Sequence, residues 1–208
     1  MSAELRAVRH EDILVITLGH PSGLPRLERR VLRELSDQIE RLLAERACIG
    51  AVITGSMQAF SAGAELEEIA ALRPAEAFEF SREGQRVMAG VERSRKPVIA
   101  AIRGYCMGGG FDLALACRAR IAGHNAVFAH RGATLGLVTG WGGTQRLTRL
   151  LGHGKANEIF LTGMKIGADE ALALGLIHEI AAGDELLARA MNLARSVALQ
   201  EKSIQARE

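Results

Sequence analysis

GYCMGGGFDLALA, residues 104–116, is the stretch on which the reading of this chain turns. It continues an apolar, β-branched run, PVIAAIRG (97–104), and its three consecutive glycines, Gly108, Gly109 and Gly110, precede a helical segment that carries one carboxylate, Asp112. Glycines between a buried strand and a helix have three readings. They permit close packing and nothing more. Alternatively, the unpaired N–H groups and positive end of the helix form an anion site, which glycine leaves open to a ligand. In the third reading one of these amides, together with a second from another segment, stabilises an enolate oxygen. GGGFDL does not fit the G-x-G-x-x-G spacing of a dinucleotide site, and the lone Gly154–Lys155 pair does not complete a phosphate loop. A second segment is at hand in AFSAGAE (59–65), which follows another apolar strand, IGAVITG (49–55). Strand ends of this kind are where α/β sheets place ligands.

Outward from this stretch, strands and helices alternate. ILVITL (13–18) reads as a buried strand. In 27–46, Leu27, Val31, Leu35, Ile39 and Leu43 recur every four residues, Leu32 and Leu42 widen the stripe, and charges fill the opposite face, which makes an amphipathic helix. A helix is expected over 74–93 with Pro74 near its start, and another over 110–117. RIAG (120–123), AVFAH (126–130) and IHEIA (177–181) read as short strands. GWGGTQRLTRLLG (140–152) reads as a loop leading into a helix that Thr144 can cap, and DELLARAMNLARSVAL (184–199) as a last helix with Asp184 at its N-cap. The alternation predicts an α/β class with largely parallel pairing.

With 208 residues, 48% of them apolar, one domain with a substantial core is expected. A net charge of +2 argues against nucleic acid as the main partner. Cys48, Cys106 and Cys117 have neither an even count nor metal-site spacing, and His10, His20, His124, His153 and His178 share no spacing, so no metal is expected and the thiols are read as reduced. MSAELRAVRHED lacks the layout of a secretory signal, and ILVITL is far short of the roughly 20 apolar residues of a membrane span. The expectation is a cytoplasmic protein with no membrane partner.

ITGSMQAFSAGAELEEI, KPVIAAIRGYCMGGGFDLALACRARIAG, LGLVTGWGGTQRLTRLLG and LTGMKIGADEALALGLIHEI together resemble, in order and spacing, the crotonase or enoyl-CoA hydratase/isomerase superfamily, over about 13–198. The resemblance implies an α/β fold of repeated ββα units forming stacked sheets surrounded by helices. It implies an acyl-CoA thioester as partner, with coenzyme A part of the substrate and no separate cofactor, and a homotrimer or hexamer. Ala64 and Gly109 match the family's two oxyanion N–H donors. Ala62, Glu65, Leu66 and Tyr105 match positions that line the CoA and acyl channel, Glu65 standing where aspartate is usual. Gly132, Leu135, Gly140 and Trp141 fall in the segment matched to the acyl pocket. Trp141 replaces a small residue, as pocket wall or as core.

The departures concern the acid–base groups. Hydratases of the family use two glutamates, and here the first falls at Asp112 and the second at Gly132. Losing one methylene withdraws the carboxylate by about 1.5 Å, and the helix N-terminus favours its charged form, which suits Asp112 as a base. Its other reading is a capping or ion-pairing aspartate. Gly132 is expected to leave a gap that a substrate, a water or a small anion fills. His130 is the nearest titratable residue to it in sequence and reads either as an acid–base group or as a side chain packed beside Phe128 or paired with a carboxylate. The reaction therefore stays open between a hydratase or isomerase, a thioester decarboxylase or hydrolase, and a non-catalytic acyl-CoA binding or assembly subunit. Family members ordinarily continue through further helices beyond the one at 184–199, whereas only EKSIQARE remains here. The expectation is one crotonase-like domain over 1–208 that lacks the usual C-terminal helices, as a short member or a piece of a longer polypeptide.

Overall fold

The computed structural model describes residues 3–205. In chain order the elements are β1 (Glu4–His10), β2 (Ile13–Gly19), β3 (Arg26–Leu27), α1 (Arg29–Ala44), β4 (Gly50–Thr54), β5 (Ala59–Ser61), β6 (Gly63–Ala64), α2 (Leu66–Ala70) and α3 (Pro74–Glu92). They continue as β7 (Val98–Ile102), β8 (Tyr105–Met107), α4 (Gly109–Ala116), β9 (Ala119–Gly123), β10 (Val127–Ala129), a 3₁₀ turn (Gly132–Leu135), α5 (Gly143–Thr162), β11 (Ile166–Gly167), α6 (Ala168–Ala173), β12 (Glu179–Ala181) and α7 (Leu186–Gln205).

A six-stranded sheet has the order β1-β2-β4-β7-β9-β12, parallel except for the β1–β2 hairpin. A second sheet has the order β11-β10-β8-β5, and β3 pairs with β6 as a separate two-stranded ribbon. The expected ββα repeat is visible in the connections. β4, β7 and β9 join the large sheet, the strand after each (β5, β8 and β10) joins the small one, and helices follow.

The large sheet is apolar on both faces because both are covered, as parallel sheets require. Side chains alternate between faces along each strand. Ile13, Val15, Val52, Ile99 and Ile121 meet α7, whose Ala190 and Ala194 keep that helix close to the sheet. Leu14, Ile16, Ile53, Ala100 and Ile102 point the other way, into the larger core with α1, α3 and α4. In α1 the stripe Val31, Leu32, Leu35, Ile39 and Leu42 is buried. Lys96 Nζ closes its C-terminal end by donating to Leu42 O at 2.5 Å and Glu45 O at 2.7 Å.

Three local expectations are corrected, and one strand is added that the sequence reading left unassigned. Leu27 belongs to β3 rather than to the first helix. The N-cap of α5 is Gly142 in a left-handed conformation (φ +94°), and the Thr144 hydroxyl bonds Gln145 instead of capping. Helix α7 starts two residues after Asp184, which therefore lies in the preceding turn, and it runs on to Gln205, past the expected end. The charged N-terminal stretch forms β1, a sheet-edge strand with exposed charges whose Leu5 and Ala7 pack on the core.

Candidate active site

The two glycine-containing segments meet at the start of α4. Gly63 (φ +99°) packs so tightly that a Cβ there would lie 2.9 Å from Met107 O and 3.1 Å from the amide nitrogen of Gly109. A Cβ on Gly109 would lie 3.3 Å from the amide nitrogen of Ala64. The backbone amides of Ala64 and Gly109 are thus neighbours, one from β6 and one from the first residue of α4. The Gly109 N–H has no acceptor within its own helix.

A cavity of about 270 Å³ opens beside them. Ala64, Gly109 and Asp112 form part of its wall; Ile69, Leu72, Ala77 and Phe80 add an apolar side from the α2–α3 region, and the loop 137–141 closes it. Trp141 is both cavity wall and core. It is 4% exposed, its ring lies 5.4 Å from that of Phe80, and its indole occupies the space a side chain at Gly84 or Gly109 would need. Arg146 holds the loop by donating to Trp141 O at 3.0 Å and pairing with Glu92 at 2.7 Å.

Asp112 borders this cavity yet is fully buried. Its Oδ2 accepts a hydrogen bond from the Thr139 hydroxyl, which covers the carboxylate on that side. Its Oδ1 is 3.2 Å from His130 Nε2, but the angles do not make a hydrogen bond of the contact. Gly143, the first residue of α5, has to be glycine here, since a Cβ would fall 1.9 Å from Asp112 Oδ1. The carboxylate therefore sits in the first turn of its own helix and against the N-terminus of a second, both of which favour negative charge. The His130 ring is 3% exposed and lies between Phe111 and Phe160, 4.9 Å from each ring centre. Its neighbours are thus Phe111, Phe160 and a carboxylate.

Gly132 does not border the first cavity. A Cβ there would meet Leu137 O at 2.5 Å, because the 3₁₀ turn folds back and Leu137 N–H bonds Gly132 O at 2.9 Å. Gly132 and His130 instead line a second cleft of about 580 Å³. Of the other expected site residues, Gly140 lines the first cavity, whereas Ala62, Glu65, Leu66, Tyr105 and Leu135 do not. Glu65 caps α2 and takes a 2.6 Å hydrogen bond from Arg26, which lowers its pKa. Leu66, Tyr105 and Leu135 are exposed on the surface. Thr139 and Phe80 are site residues that the sequence reading missed. Glycines on both sides of Thr139 were a signal for the loop but not for its contact with Asp112.

A pair of backbone amides beside a carboxylate, at the strand–helix junction of stacked ββα units, defines a class of protein that handles a carbonyl compound and a proton. A family model described as enoyl-CoA hydratase/isomerase matches residues 9–207, and the chain belongs to that family, the crotonase superfamily. It is 35% identical over 186 residues to the short-chain-enoyl-CoA hydratase of Clostridium acetobutylicum, covering 89% of this chain and 71% of that one. It is 37% identical over 187 residues to the crotonyl-CoA hydratase of Syntrophomonas wolfei, covering 89% and 72%. Among solved structures, an enoyl-CoA hydratase from Bacillus anthracis superposes with a TM-score of 0.88 at 32% identity, covering 97% of this chain and 82% of that one. Among the described residues no helix is long and apolar enough to cross a membrane.

Proposed function

We propose that this chain is an acyl-CoA enzyme of the enoyl-CoA hydratase type. It holds the thioester oxygen between the N–H groups of Ala64 and Gly109 and moves the proton with Asp112. The observation that carries the reading is the convergence of these two amides and one buried carboxylate on a single cavity. Drawing electron density onto the thioester oxygen makes the β-carbon of an enoyl group electrophilic. One such donor contributes about 3–4 kcal/mol to the transition state. Substrate entry displaces the Thr139 hydroxyl from Asp112. The freed carboxylate takes a proton from a water as its oxygen bonds to the β-carbon, and the resulting enolate is protonated at the α-carbon. Coenzyme A is part of the substrate, and no separate cofactor is needed. Glu65, Leu66 and Tyr105 are assigned to the CoA portion outside the cavity. The same reading has the protein act in the cytoplasm as one crotonase-like domain in a homotrimer or hexamer. Val138 and Leu161, 80% and 77% exposed, are apolar surface that assembly would cover.

A second reading rests on Gly132. The cavity wall carries one carboxylate, and decarboxylation of a malonyl-type thioester needs only the enolate site. The carboxylate leaves as carbon dioxide, its bonding electrons pass into the enolate, and the α-carbon takes up a proton. Mass spectrometry of a panel of enoyl-, malonyl- and saturated acyl-CoA thioesters separates the readings. Water addition to crotonyl-CoA that drops at least a hundredfold in Asp112→Asn, with binding kept, supports the hydratase; loss of positioned acid–base catalysis costs about 10²–10⁴. Loss of carbon dioxide moves the protein to the second reading. Release of free CoA makes it a hydrolase, and binding without turnover makes it a binding subunit.

A further inference from the structure

A cleft of about 400 Å³ opens at the C-terminal end of α4, roughly 12 Å of helix away from Gly109. Four arginines and one carboxylate line it: Arg118 and Arg120 around the start of β9, Arg146 and Arg149 on α5, and Glu92 at the end of α3. Arg120 is the floor. It is 5% exposed, and three carbonyls fix its fork, with Nε donating to Leu176 O and Nη1 to Cys117 O and Ala114 O. Nη2 donates to nothing among the described residues and, unlike Nε of Arg146, is not sealed, so it meets the cleft. The nearby carboxylates are already engaged. Glu92 pairs with Arg146 at 2.7 Å, and Glu201 reaches over from α7 to pair with Arg118 at 3.1 Å. Arg120 and Arg149 have no carboxylate partner among the described residues. A guanidinium stays charged when buried, and buried charges are ordinarily paired. The carbonyl end of α4 offsets part of the Arg120 charge and leaves Nη2 unbound.

We propose that this cleft is a binding site for the phosphoryl group of a small phosphate ester, separate from the acyl-CoA cavity. A phosphate monoester carries close to two negative charges near neutral pH and three acceptor oxygens, which matches two guanidiniums that lack a counter-charge. The planar fork of arginine suits phosphate oxygens. Arg120 supplies a donor held in place before binding, and Arg149, exposed at the rim, meets the group from α5. Leu115, Ala116 and Leu150 form an apolar side for the organic part of the ester. At about 400 Å³ the cleft has room for more than the phosphoryl group alone. The site stands apart from the chemistry of Asp112, which borders a different cavity.

The test is isothermal titration calorimetry of the whole chain with phenyl phosphate at constant ionic strength, without and with saturating butyryl-CoA. One phenyl phosphate per chain is expected to bind, with the same affinity in both conditions. Arg149→Gln, a change at an exposed residue outside the acyl-CoA cavity, is expected to weaken that binding at least tenfold and to leave butyryl-CoA affinity unchanged. Benzoate, with one charge, is expected to bind at least tenfold more weakly than phenyl phosphate, and inorganic phosphate, with no organic part, more weakly as well. Absence of phenyl phosphate binding, its displacement by butyryl-CoA, or an unchanged affinity in Arg149→Gln overturns the site. Benzoate or inorganic phosphate that binds as tightly as phenyl phosphate overturns the assigned ligand. A chain that takes phenyl phosphate and not butyryl-CoA keeps the site and overturns the acyl-CoA reading instead.

Discussion

At the scale of the residue, Gly109 is fixed by what surrounds it. Trp141 Cζ3 lies 2.4 Å from where its Cβ would be, and the Ala64 amide nitrogen lies 3.3 Å away. Gly109→Ala must therefore push a rigid indole off the amide pair, and overpacking of this kind costs about 1–3 kcal/mol. Thermal unfolding is expected to record that loss together with a drop in turnover. Trp141→Ala alone costs about 3–5 kcal/mol through the cavity it leaves, but in its background Gly109→Ala is expected to be nearly neutral. Additive losses in the double variant would show that Trp141 does not impose the glycine. Gly109 and Asp112 were legible because a glycine run and a lone carboxylate break an apolar pattern. Thr139 and Gly143 were not, since each reaches Asp112 across some thirty residues of chain and local pattern says nothing about such contacts. That Gly132 faces the second cleft and not the first cavity was hidden for a similar reason: its surroundings are set by the turn that brings the Leu137 backbone against it.

At the scale of the element, α3 carries two glycines with opposite surroundings. A Cβ on Gly84 would fall 2.1 Å from Trp141 Nε1, whereas Gly90 has nothing within 4 Å. Alanine in a helix interior is favoured over glycine by about 0.8–1 kcal/mol. That gain stands alone at exposed Gly90, so Gly90→Ala is expected to raise the denaturation midpoint. At Gly84 the collision with the indole outweighs it, and Gly84→Ala is expected to lower the midpoint. Two shifts of the same sign would contradict this packing of α3 on the Trp141 loop. The long elements were legible from local signals: α1 by a buried stripe, α3 by Pro74 near its start, and β2, β4 and β7 by continuous apolar runs. The ribbon β3–β6 and the strand β11 were not, because two residues hold no period. Strand β1 escaped because its alternation is diluted by charges on the exposed side of an edge.

At the scale of the whole molecule, the buried Arg120 joins the large sheet to its surroundings. Its guanidinium donates to Leu176 O at 2.7 Å, Cys117 O at 2.9 Å and Ala114 O at 3.3 Å. Its backbone N–H reaches His178 Nδ1 at 3.3 Å. Burial, and then the charge of Arg120, lowers the pKa of His178 below its ordinary value. The unfolded chain therefore takes up a proton on this histidine at a pH where the folded chain does not. Stability rises with pH wherever the unfolded state binds more protons, so this contribution is full above about pH 6.5 and is lost as the pH falls towards the folded value. Denaturant midpoints measured from pH 7.5 down to pH 5.5 are expected to fall more steeply in wild type than in His178→Gln; parallel curves would remove His178 from the acid response. The largely parallel α/β class was legible at this scale, because strands separated by helices leave few other arrangements, whereas the stacking of two sheets was implied by the family resemblance alone.

The central claim is that the thioester oxygen lies between the amides of Ala64 and Gly109. Infrared difference spectra of crotonyl-CoA carrying ¹³C at the thioester carbonyl read the polarisation of that bond directly. The carbonyl band is expected to move to lower wavenumber on binding, as two N–H donors draw electron density onto the oxygen. A bound carbonyl band that stays at its solution position, or moves to higher wavenumber, would contradict it.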